Sequence, residues 1–256
     1  MATTEQELKL KATAAEAPRL DAQAAEAPSR VTATTAQALG AAPVQVPAGA
    51  DEWRQAAERK LMAKVEKYAS EMDARHRAGE DKQALGEPTV GTYVALDVLA
   101  FSPIQQITFP PYEPSRIIAA GEDAVIWALV FINPTVDVGQ GFAIPATVQL
   151  GGRRMRVRLE QVNLSDVTDG PDDTFDFVLP SPAPSLIWLP FLISAADPGN
   201  DPDLFEANIT VDIVDPVQPY AAFATHHVSV DADPLFLVPG NQLLNNIPMR
   251  YLVYRQ

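Results

Sequence analysis

The chain has 256 residues, 47% hydrophobic and 20% charged, which is enough material for one large or two small folded domains. It contains no cysteine, which excludes disulfides, thiolate metal sites and cysteine nucleophiles. Its formal net charge is −14 and uneven: from Gly86 onward there are 7 Arg, no Lys and 20 Asp or Glu, a surface that repels nucleic acid and anionic membrane.

The first residues, Met1-Ala-Thr-Thr-Glu-Gln-Glu-Leu8, lack a basic region followed by an apolar core, so they do not read as a secretory signal. The expected location is therefore the cytoplasm, within a larger particle or free of one. Residues 1–50 are mainly Ala, Thr, Glu, Gln and Pro, and Ala12-Thr-Ala-Ala-Glu-Ala-Pro18 nearly repeats as Ala22-Gln-Ala-Ala-Glu-Ala-Pro28. This composition buries too little apolar area to offset the entropy of ordering, which predicts a disordered arm that becomes ordered only on a neighbour.

Residues 51–82 read as one amphipathic helix. Asp51 is the expected N-cap, and Gly79 the expected stop. Trp53, Ala57, Leu61, Val65, Tyr68 and Met72 fall every three or four residues and form one apolar stripe. That stripe packs either on the chain's own β domain or on the same helix of another copy, which makes Trp53, Leu61, Val65, Tyr68 and Met72 candidate interaction residues. Gly86, Pro88 and Gly91 mark residues 83–91 as a linker.

Residues 92–256 read as a β domain. The run from Ala124 to Ile132 is apolar, rich in β-branched and aromatic residues, opened by the acidic turn Gly121-Glu-Asp123 and stopped by Asn133-Pro134. It is too short for a membrane span, which needs about 20 apolar residues, and reads as a central strand buried on both faces. Other strand-like runs lie at 93–101, 104–109, 142–150, 153–162, 174–179, 186–193, 207–214, 220–230, 235–238 and 247–254, separated by Pro, Gly, Asn and Asp. Gly151-Gly152 is a tight-hairpin signal between two of them. About ten strands with no helical period among them predict an all-β, two-sheet antiparallel β-sandwich, jelly-roll-like or immunoglobulin-like.

Functional signals are sparse. Arg154, Arg156 and Arg158 alternate with Met155, Val157 and Leu159, so the three arginines share one strand face. Such a row either pairs with acids of its own sheet or docks on the acidic surface of another molecule. Two acidic loops offer oxygen ligands for Ca²⁺: Asp169, Asp172 and Asp173 in one, Asp197, Asn200, Asp201 and Asp203 in the other. Neither follows the EF-hand spacing. His226 and His227 are adjacent and would point to opposite strand faces, which prevents shared chelation. No nucleophile elbow, phosphate loop or zinc-protease motif occurs, so no catalytic residue, cofactor or resident metal is assigned.

The expected function is that of a non-enzymatic structural or assembly subunit, a homo-oligomer or the binder of a protein with a basic surface. Two alternatives stand beside it: a carbohydrate- or Ca²⁺-binding sandwich module, and a hydrolase using a carboxylate pair.

Overall fold

A computed structural model describes residues 31–78, 94–105, 112–138, 141–214, 220–227 and 248–255. Among them are thirteen strands, two α-helices and one short 3-10 helix, arranged about three layers: a long helix, a first sheet and a second sheet.

The first sheet has the order β1 (Ala33–Thr35), β9 (Leu186–Ser194), β5 (Asp123–Ile132), β2 (Leu96–Phe101), β12 (Thr225–His227), with β3 (Ile104–Gln105) also on β5. The second has the order β4 (Ile117–Ala119), β13 (Met249–Tyr254), β10 (Asp203–Ile213), β6 (Arg154–Asn163), β7 (Thr168–Asp169). Strands β8 (Asp173–Val178) and β11 (Ala221–Phe223) pair with β6 and β10 respectively.

The sandwich is not purely antiparallel, as the sequence had suggested. β1 runs parallel to β9, β12 to β2 and β4 to β13. All three parallel seams involve an outermost strand. Parallel neighbours need a long connection rather than a tight turn, and each of these edge strands arrives from far away in the chain.

β5 is the centre of the fold, and every residue after Asp123 is buried. Its alternation serves two cores. Ala124, Ile126, Ala128, Val130 and Ile132 face the space between the sheets. Val125, Trp127, Leu129 and Phe131 face the helix layer.

The helix α1 spans Ala48–Ala78. It starts earlier than expected, because the carbonyl of Pro47 accepts from Ala50 N and Asp51 N and opens the first turn. Asp51 is thus inside the helix, where its carboxylate accepts from Arg54 Nε at 2.8 Å and from Gln55 Nε2 at 2.9 Å. The buried line is Arg54, Ala57, Leu61, Val65 and Ala69, with Trp53, Tyr68 and Met72 half-buried on its shoulders. This face lies on the first sheet of the same chain. Trp127 Nε1 donates to the Ala50 carbonyl at 3.0 Å, and Tyr68 OH accepts from Asn133 Nδ2 at 3.2 Å, so both halves of the helix are pinned. Gly49 lies so close to the Tyr112 ring that a Cβ there would come within 2.1 Å of it.

Three further expectations change. Within the Ala/Pro/Thr-rich arm, residues 31–47 are folded onto the sandwich: Val31 and Ala36 are buried and β1 pairs with β9, while residues 1–30 lie outside the described residues. The run 142–150, expected as a strand, carries a short helix α2 (Ala146–Gln149) with Pro145 as its N-cap, whose carbonyl accepts from Val148 N and Gln149 N. Gly152 is then a turn residue at φ 76°, and its N–H donates to Leu179 O rather than closing a two-residue hairpin. The stop at Gly79, the linker 83–91 and the run 235–238 lie outside the described residues.

Candidate functional site

The arginine row stands on the outer face of β6, with Met155, Val157 and Leu159 buried on the inner one. Register decides what it meets. β6 lies between β8 and β10, which places Asp176 opposite Arg156 on one side and Asp212 opposite it on the other. Arg154 grips Asp176 with two hydrogen bonds of 2.6 and 2.7 Å, and Arg156 reaches the same carboxylate at 3.3 Å. Arg158 lies 3.9 Å from Asp212. Arg154 and then Arg156 hold the Asp176 carboxyl below its ordinary range. Of the two readings the sequence left open, the structure places the row among acids of its own sheet.

The two acidic loops do not converge on a point. Asp169 belongs to β7, Asp172 accepts from Gln161 N at 3.1 Å, and Asp173 accepts from Thr174 N at 2.7 Å. Asp197 binds Arg255 and also accepts from Gly199 N, which keeps its carboxyl low. Asn200 and Asp201 sit in the turn before β10, and Asp203 is its first residue. Among the described residues, no group of three or more His, Asp or Glu side chains is placed to hold a metal ion.

His226 does meet a serine. Its Nε2 lies 2.7 Å from the buried Ser102 Oγ, while its Nδ1 lies 3.4 Å from an Arg116 guanidinium nitrogen. A guanidinium only donates, so the contact with Arg116 favours the tautomer in which Nδ1 accepts and Nε2 donates towards Ser102. Nucleophile activation needs the reverse: a free Nε2 lone pair, with a carboxylate behind Nδ1.

Beside His226 is a pocket of about 200 Å³. It arises from an interruption in the second sheet. β13 and β11 lie end to end along the same flank of β10, with β13 covering Asp203 to Ala207 and β11 covering Thr210 to Asp212. The gap falls at Asn208 and Ile209, and through it the pocket reaches Ala100 on β2 and His226 on β12. Phe223, 66% exposed, stands at the mouth.

The feature that sequence reasoning missed is the loop joining β6 to β7. Its last residue, Val167, has φ 57°, a left-handed conformation disfavoured for a β-branched side chain. Val167 is also 84% exposed. Val162 and Leu164, both more than a third exposed, stand with it. The loop beneath is rigid. Asn163 Oδ1 accepts from Ser165 N at 2.9 Å, Ser165 Oγ accepts from Leu204 N at 2.9 Å, and Leu164 N donates to Leu204 O. Gln161, buried, links the following acidic loop to the core: its Nε2 donates to Pro171 O, and its Oε1 accepts from Tyr251 OH. Nothing in Asp166-Val-Thr168 signals a left-handed residue, since the usual markers, glycine and asparagine, are absent.

The tryptophans offer no exposed platform. Trp127 and Trp188 are buried, and half-buried Trp53 packs edge-on against Phe101 at 5.0 Å. No protein-family model matches the chain, and no curated protein matches it in sequence.

Proposed function

We propose that the chain is a non-enzymatic structural subunit that associates with copies of itself or docks on a larger particle. The observation that carries this reading is Val167. A left-handed β-branched residue costs of order 1–2 kcal/mol, and displaying an apolar side chain to water gains nothing for the isolated subunit. A rigid loop that bears this cost and adds Val162 and Leu164 fits a contact surface. The Arg116 guanidinium 3.4 Å from His226 Nδ1 supports the non-enzymatic half, because a serine-activating histidine carries a carboxylate at that nitrogen. The arginine row contributes less than its sequence suggested, since Asp176 and Asp212 already lie against it.

The test is Val167→Asn, which suits the left-handed position and removes the apolar side chain. Thermal unfolding should show the variant about 1 kcal/mol more stable than wild type, while light scattering shows weaker association. A variant that is no more stable and associates as wild type does would remove the basis of the reading.

A further inference from the structure

The hairpin tip and the pocket are a protrusion and a hollow on opposite flanks of β10: the tip belongs to the β6 side, and the pocket opens where β13 gives way to β11. We infer that the pocket beside His226 is the socket for the Val167 tip of a second copy of this chain, so that subunits join head to tail. The inference rests on the assembly reading above and names its partner and its receptor.

Size, polarity and charge agree. An apolar cavity of about 150 Å³ admits a benzene ring, so a pocket of about 200 Å³ accommodates a branched aliphatic side chain. Its walls are apolar apart from Asn208 and His226, and Ile209, Phe223 and Met249 offer apolar contact to a branched aliphatic side chain. The exposed Phe223 is an apolar rim that a seated side chain would cover.

Around the tip lie the exposed carboxylates Asp166 and Asp169, while Asp172 and Asp173 follow farther down β6, at the level of Gln161 and Leu159. Beside the socket lies Arg116, exposed next to His226; Arg250 is close too, its guanidinium already held by Glu206 at 2.8 Å. These are two of only 7 arginines from Gly86 onward. Acid around the protrusion and guanidinium around the hollow set the orientation of the contact more than its strength. Because the two surfaces differ, the contact is heterologous, and it closes into a ring or continues as a filament rather than stopping at a dimer.

The test uses two exposed substitutions that leave both cores untouched: Val167→Asp spoils the tip, and Phe223→Glu spoils the socket. Sedimentation velocity of the full chain at low salt should show growing assemblies for wild type, and high salt should shrink them. Each variant alone should remain a monomer, with association weakened at least tenfold. An equimolar mixture should form one species of twice the subunit mass, because the intact tip of one variant fits the intact socket of the other and neither can extend further. Wild type that assembles while both variants assemble equally well would overturn the tip-and-socket contact and leave the assembly reading standing. Variants that fall apart alone and stay apart when mixed would also overturn it. Wild type that stays monomeric at every concentration would overturn both.

Discussion

The two sheets share one core and differ in what covers their other faces. The first sheet lies beneath α1, and its central strand β5 is apolar on both sides from Ala124 to Ile132. The central strand β6 of the second sheet alternates strictly, with buried Met155, Val157 and Leu159 between half-exposed or exposed Arg154, Arg156 and Arg158. No described helix covers the outer face of the second sheet; that face is tiled by Arg154–Asp176, Arg158–Asp212 and Arg250–Glu206. Each carboxylate behaves according to its sheet. Asp97 lies on the helix side of β2, half-buried, and burial pushes its carboxyl up to about 6. Asp176 lies on the open face, and the arginines hold it down. The open face belongs to the second sheet alone, whereas the pocket beside His226 is shared by both sheets, through Ala100 and His226 of the first and Ala207, Ile209 and Met249 of the second.

The sharpest way to break this contrast is Trp127→Ala. The ring is 2% exposed, packs against Trp188 at 6.1 Å and bonds to the first turn of α1. Loss of about 3–5 kcal/mol in denaturant unfolding is expected. A midpoint unchanged from wild type would show that the helix does not depend on that layer.

Asp97→Asn tests the same layer in the stabilising direction. A carboxyl with a raised folded-state value imposes no penalty below about pH 4, where both states are protonated, and its full penalty above pH 6. Two units correspond to at most about 3 kcal/mol. The variant should therefore match wild type near pH 3.5 and exceed it at pH 8, as read from thermal midpoints across that range. A gain independent of pH would point to packing rather than charge.

The smallest effect is expected on the open face. Replacing Arg154, Arg156 and Arg158 together by Gln should cost about 0–1 kcal/mol per pair, since exposed ion pairs contribute little. For Asp176 the sign runs opposite to Asp97: its lowered carboxyl contributes stability above the unfolded value, and that contribution is lost as pH falls through the folded one. The triple variant should flatten this acid limb. A loss rivalling that of Trp127→Ala would mean that the outer face is as essential as the core.

Much of the fold was legible because its signals are local. The apolar run around Trp127 and the alternation in β6 each fix an element by pattern alone. The edges were not legible, because a parallel seam such as Ala33 against Leu186 is decided by partners far apart in the chain. The helix α2 was hidden by Thr147 and Val148, whose β-branched character suits a strand, and by the N-cap role of Pro145. Of the candidate site, the arginine row was legible as a face, but its partners Asp176 and Asp212 come from strands on either side, which composition cannot align. The Val167 tip was illegible because its signal is a backbone angle that the residue type argues against.

The three parallel seams also order events in time. β1 joins β9, and β4 joins β13, across separations of more than a hundred residues. During synthesis the chain is released from its N-terminus, so β1 waits for Leu186 and β4 waits for Leu252. The hub of antiparallel pairs, β2 on β5 and later β6 on β10, has partners at hand sooner. Both sheets are therefore completed from the middle outward, and Met249–Tyr254 is the latch that gives β4 its neighbour among the described residues.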